Sequence, residues 1–152
     1  MSGLLYIVAT PIGNLGDITI RAVDTLKRVD IVLAEDTRHS KKLFAHYEIH
    51  SPLRAFHEHN ESDKVNGVIS EIRSGKSIAL ISDAGTPLIS DPGYLLVSEA
   101  KKNGIEVVPI PGPNAAIAAL SSSGLASRSF TFFGFLPTKQ PARLKLLKSK
   151  RN

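Results

Sequence analysis

Short β-rich runs alternating with helical stripes predict an α/β fold, a mainly parallel open sheet flanked by helices. Three observations lead there. The apolar run at residues 4–9 is continuous, as in a strand covered on both faces. Between such runs, apolar residues recur at helical spacing. Glycine and proline cluster just after the strand-like runs, where an open α/β sheet binds ligands.

In chain order, LLYIVA at residues 4–9 is the first strand, and Ile18, Ala22, Leu26 and Val29 form the stripe of a helix over residues 18–29. A strand at 31–34, a helix from about residue 38 to 47 and a short strand at 53–56 follow. The next helix runs from about residue 62 to 73, with Asn60 or Ser62 as cap and Gly75 past its end. A buried strand at 77–81 precedes a helix at 94–102, stopped by Asn103-Gly104, and a strand at 105–110. An alanine-rich helix over 114–122 ends at Gly124, residues 130–135 read as a last strand, and the basic end begins one more helix.

The 152 residues fit one domain, for which folding buries roughly 70% of the unfolded surface. Ordinary hydrophobic and charged fractions, 42% and 22%, exclude disordered and fibrous classes. No apolar run reaches the roughly 20 residues that cross a bilayer, and the N-terminus lacks the basic region of a signal peptide. The absence of cysteine removes disulfides, thiolate metal sites and a cysteine nucleophile; a cytoplasmic location is expected. The net charge of +5 does not indicate a basic domain: residues 1–142 hold 14 Lys+Arg and 14 Asp+Glu, so the excess sits in Arg143, Lys145, Lys148, Lys150 and Arg151. Such a short tail reads first as a solvated end.

Three stiff loops mark a ligand pocket: TPIGNLGD after the first strand, SDAGTPLISDPG after the 77–81 strand, and PGPN after the 105–110 strand. Glycine lets backbone approach a ligand and proline limits the entropy lost on binding. Exposed N–H groups hold anions, and carbonyls and carboxylates accept from hydroxyl or amino groups, which suits a nucleoside-like cofactor better than a metal.

Several familiar signatures fail. Gly75-Lys76-Ser77 lacks the upstream glycine of a P-loop and precedes a strand, and Gly13-x-x-Gly16 lacks the third glycine of a dinucleotide fingerprint. His57-Glu58-His59 is a thin ligand set, and no metal is expected. Two polar clusters remain for chemistry. Glu35-Asp36-Thr37-Arg38-His39 follows the 31–34 strand directly, where it reads equally as a helix cap and as a substrate contact. His57-Glu58-His59-Asn60-Glu61 follows the next strand and reads otherwise as a polar loop.

The segments LYIVATPIGNLGDIT, AEDTRHS, FHEHNE, SDAGTPLISDPGY, VVPIPGPNAAIAALSSSGL and FTFFGFLP resemble the ribosomal RNA small subunit methyltransferase I family, 16S rRNA cytidine 2′-O-methyltransferases within the tetrapyrrole (corrin/porphyrin) methylase superfamily. The likeness covers residues 4–138, and AEDTR combined with SDAGTPLISDPG is its most specific part. It implies S-adenosylmethionine as cofactor, 16S rRNA in the 30S subunit as substrate and a homodimer of two-domain chains, with the cofactor between the domains. Residues 1–136 then form the N-terminal α/β methylase domain and residues 137–152 a linker and the start of a truncated second domain. The alternatives are a superfamily methylase acting on a tetrapyrrole or another substrate, and an inactive half-protein.

Matched by position, the resemblance assigns cofactor binding to Pro11 and Gly13; to Asp83, Gly85, Thr86, Ile89 and Ser90; and to Pro111, Gly112, Asn114 and Ala115. For transfer to a ribose hydroxyl, Glu35 or Asp36 is expected to receive the proton and Arg38 to hold phosphate, with His39, Lys41 and Lys42 extending the backbone contact.

Overall fold

The structure, a computed structural model, describes residues 3–150, with the side chains of residues 58–60 outside the described set. Among the described residues, β1 (Leu5–Val8), β2 (Ile31–Ala34), β3 (Leu53–Ala55), β4 (Ile78–Ile81) and β5 (Val107–Ile110) form one sheet of order β3-β2-β4-β1-β5, with every pairing parallel. The helices are α1 (Ile20–Arg28), α2 (Thr37–His46), α3 (Glu58–Arg73), α4 (Tyr94–Lys102), α5 (Ala115–Ser122) and α6 (Gln140–Ser149).

The continuous apolar strands are explained by two cores. Leu33, Ile78 and Leu80 pack with Val68, Ile72 and Leu96 of α3 and α4. Their neighbours Val32, Ala34, Ala79 and Ile81 pack with Ala22, Leu26, Leu43 and Phe44 of α1 and α2. Because α1 and α2 leave on one face and α3 and α4 on the other, the adjacent strands β1 and β4 send their connections in opposite directions. That is the switch point at which an open sheet parts its loops into a crevice.

Most boundaries follow from caps. Asp36 accepts from Arg38 N at 2.8 Å and so starts α2. Asn114 accepts from Ile117 N at 3.1 Å and starts α5. α1 starts at Ile20 rather than 18, because Thr19 accepts from Ala22 N and a short 3-10 turn, Leu15–Asp17, intervenes. α3 extends back to Glu58, since the polar stretch contains no breaker; Asn60 and Ser62 are therefore inside the helix and not caps, and the Asn60 side chain lies outside the described residues.

A further expectation fails. Residues 130–135 are not a strand: the segment pairs with no sheet edge, and Phe130, Phe132, Phe133 and Phe135 are all exposed. Its β-prone composition has no partner strand to pair with, and Gly134 turns it at φ 65°.

Candidate functional site

The three loops predicted to form a pocket meet. Thr10 and Gly85 exchange backbone hydrogen bonds at 2.9 and 3.0 Å, tying the β1 loop to the β4 loop. Thr10 Oγ1 donates to the carbonyl of Ser82 at 3.1 Å. Thr86 Oγ1 donates to the carbonyl of Pro113 at 3.2 Å, tying the β4 loop to the β5 loop. At Gly112 an added Cβ would stand 2.9 Å from Ala9 Cβ, so only glycine lets the β5 loop pass this close over the end of β1.

A cavity of about 340 Å³ opens where they converge. Gly85, Thr86, Ile89, Ser90, Asn114 and Ala115, all predicted cofactor residues, line it. Three further predicted residues, Pro11, Gly13 and Asp83, line a different cavity of about 260 Å³ beside α2. Pro111 and Gly112 are exposed and line neither. Sequence reading missed six lining residues, Ile12, Ala84, Asp91, Ala116, Phe132 and Phe135. Asp91 lies inside the SDAGTPLISDPG segment but nothing in the segment singles it out, and the two phenylalanines are in the stretch expected to be a strand.

The β4 loop is strained where it lines the cavity. Leu88 and Ser90 have φ of 71° and 129°, regions that side-chain-bearing residues seldom occupy. Such strain persists only where surrounding packing enforces it, and it concentrates at ligand sites. Gly93 caps α4 with no side chain of its own, and the buried carboxylate of Glu61 accepts from Leu96 N at 3.1 Å instead.

The charged groups divide into two settings. Asp36 is held by Arg38, whose Nε and Nη2 donate to its two oxygens at 3.1 and 2.8 Å, and these bonds lower its pKa from 3.8 to about 2. The same pairing raises Arg38, whose side chain is exposed. Both lie outside the 340 Å³ cavity and its two charged neighbours. Asp91 is shifted the other way: burial raises its pKa, a hydrogen bond from Ser82 opposes that, and the Asp83 charge adds to the rise. Asp91 and Ser90 also line an adjoining cavity of about 370 Å³ with Glu35 and Glu61. Of the three predicted catalytic residues, Glu35 is thus the one brought beside the 340 Å³ cavity.

Among the described residues no group of three His, Asp or Glu side chains is placed to hold a metal, and no helix is long and apolar enough to cross a membrane.

Comparison with known proteins agrees with this fold. The family model described as tetrapyrrole (corrin/porphyrin) methylases matches residues 4–148. The chain is 59% identical over 140 residues to a Vibrio cholerae protein named ribosomal RNA small subunit methyltransferase I, covering 92% of this chain and 49% of that protein. Proteins of the same name from Synechocystis and Escherichia coli O157:H7 are each 54% identical over 147 residues, covering 97% of this chain and 53% and 51% of theirs. The chain therefore spans about half the length of these relatives. Among solved structures, a uroporphyrin-III-C-methyltransferase from Thermus thermophilus superposes with a TM-score of 0.64 at 23% identity, over 83% of this chain and 55% of its own. A diphthine synthase gives 0.66 at 17% identity, over 82% and 50%. At such identities these two show a shared fold.

Proposed function

Because the chain belongs to the tetrapyrrole (corrin/porphyrin) methylase family, we propose that it forms the cofactor-loop half of an S-adenosylmethionine-dependent methyltransferase acting on the ribose 2′-hydroxyl of a cytidine in 16S rRNA. The observation that carries this reading is the convergence of three loops on the 340 Å³ cavity. That volume lies within the roughly 300–1,000 Å³ usual for cofactor sites. Its donor set fits the group: Phe132 and Phe135 offer faces to a purine, Ser90 and Thr86 hydroxyls suit ribose, and Asp91 is a carboxylate for an amino group. The rRNA substrate is taken from the relatives' names, and the cytidine 2′-hydroxyl from the resemblance of AEDTR and SDAGTPLISDPG.

When bound, the cofactor supplies an electrophilic methyl group on a sulfonium. The chain's own part is alignment, for which well-oriented reactants gain roughly 7–11 kcal/mol, and removal of the hydroxyl proton, worth about 10² to 10⁴ in rate. Glu35, which shares a cavity with Asp91 and Ser90 beside the cofactor loops, is the proton acceptor the geometry favours. Asp36, lowered to about 2, is a weak base and anchors Arg38, leaving guanidinium Nη1 for a phosphate oxygen. Residues 1–136 form the methylase domain; residues 137–152, whose helix α6 buries no residue, begin a second domain. The 30S subunit as partner, a homodimer and a cytoplasmic location belong to the same reading.

The test joins this chain to the C-terminal half of the Vibrio cholerae relative and measures transfer of labelled methyl groups to unmodified small ribosomal subunits and to a porphyrinoid. Incorporation into 16S rRNA, lost in Ile89→Asp, is expected. Methylation of the porphyrinoid alone would assign the chain to another branch of the superfamily.

A further inference from the structure

The cavity beside α2, lined by Pro11, Gly13 and Asp83 among others, is separate from the one proposed for the cofactor. It lies across the Thr10–Gly85 bridge from the cofactor cavity, since Thr10, Pro11 and Gly13 line one side while Ile12 and Gly85 line the other. Its walls are largely apolar, with Leu15, Leu43 and Ile81 prominent among them. Its ionisable lining is His39 and Lys42 of α2, with Asp83 from the β4 loop. Three residues apart on one helix, His39 and Lys42 share a face.

What these groups already bind defines what they leave free. Thr10 Oγ1 donates to Ser82 O and Ser40 Oγ to Asp36 O, so those hydroxyl protons are committed. Asp83 Oδ1 accepts from Asp36 N at 3.1 Å, leaving Oδ2 open. Among the described residues the His39 ring and the Lys42 ammonium have no hydrogen-bond or ion-pair partner. An apolar slot of about 260 Å³ therefore presents two nitrogenous groups suited to an anion and one carboxylate oxygen suited to an N–H or O–H donor. A free phosphate would leave the apolar walls wet, and an aliphatic chain would leave the charges unused. A flat ring carrying a phosphate and a donor satisfies all three.

We propose that this cavity is a nucleotide subsite that takes one unstacked nucleotide of an RNA. The ring lies against the apolar walls, the phosphate meets Lys42 and His39, and a base or ribose donor meets Asp83. Recognition of single-stranded RNA by pulling bases out of the stack has this form. The inference rests on the RNA reading above, and it puts the RNA on the far side of the bridge from the cofactor.

The test is a titration of the isotope-labelled 152-residue chain, following backbone amide shifts, with cytidine monophosphate, cytidine, inorganic phosphate, pentacytidylate and, separately, S-adenosylhomocysteine. Cytidine monophosphate and pentacytidylate are expected to shift the amides of Leu15, Lys42 and Ile81 saturably and to leave Ile89 and Asn114 unmoved. Cytidine binds more weakly, and phosphate alone does not saturate these amides. Lys42→Glu weakens cytidine monophosphate by roughly tenfold or more, as loss of a charged hydrogen bond requires. Lys27→Glu makes the same charge change at an exposed residue of α1 outside the lining and alters affinity by less than about twofold.

Shifts centred on Ile89 and Asn114, or equal weakening by the two lysine variants, would overturn the proposal. So would binding of the mononucleotide without pentacytidylate, which marks a site for free nucleotides. The S-adenosylhomocysteine arm reads the cofactor assignment separately, at Ile89, Asn114 and Phe132.

Discussion

At the scale of single residues, the site depends on positions that tolerate no other side chain and on carboxylates with opposite settings. Gly93 joins the β4 loop to α4 at φ 125°, where an added Cβ would stand 2.5 Å from Leu80 Cδ2 in the core. Gly93→Ala should cost about 1–3 kcal/mol in urea unfolding, from strain and overpacking together. Asp91 behaves in the opposite way. Its folded pKa lies above its ordinary value, so ionisation opposes folding at neutral pH, and that cost is relieved as pH falls through the raised pKa. Asp91→Asn should then leave thermal stability at pH 7 equal or raised, with the difference from the parent vanishing near pH 3, while methyl transfer by the joined chain falls. A lower melting temperature at pH 7 would show that the carboxylate is structurally required. Asp36 carries the usual sign: its bonds to Arg38 favour folding above about pH 4, and that contribution is lost as pH falls towards 2. Asp83, Gly85 and Ser90 were legible in the sequence, because glycine and proline spacing marks a loop. Asp91 was passed over since its distinction is burial, a property of packing. Phe132 and Phe135 were passed over since aromatic runs read first as strand.

At the scale of elements, capping decides where the chemistry sits. Asp36 starts α2 and, with the same carboxylate, fixes Arg38. Asp36→Ala should lower stability by loss of the cap and also free Arg38, which thermal unfolding and RNA binding would read separately. Strand order was the part of the fold that periodicity could not give, because β4 enters between β1 and β2 only through the crossover by α3. The element types were legible where burial is two-sided, as in β2 and β4. They failed at residues 130–135, where propensity met no neighbouring strand. The same contrast predicts dynamics: α5 and α6 bury no residue, whereas β2 and β4 are wholly buried. Amide exchange should be slowest in β1, β2 and β4 and faster by orders of magnitude in α5 and α6. Comparable protection throughout would mean that the helices pack on the sheet.

At the scale of the molecule, five strands and two cores deliver three loops to one edge, and the loops bond to one another before any ligand arrives. That bonding is the central claim, since it makes a cavity of punctuated connections. The surface beyond it is apolar, with Leu125, Phe130 and Phe135 more than half exposed. Such exposure suits contact with further protein, and concentration-dependent association of the chain in sedimentation should follow, weakened by Phe135→Asp. A strictly monomeric chain at high concentration would contradict that. The most direct measurement of the whole account is a map of S-adenosylmethionine on the labelled chain by amide shifts at millimolar concentration. The expected result is saturable change confined to Ile12, residues 85–91, residues 114–116, Phe132 and Phe135. Change centred elsewhere, or none at all, would contradict the assignment of the converging loops to the cofactor.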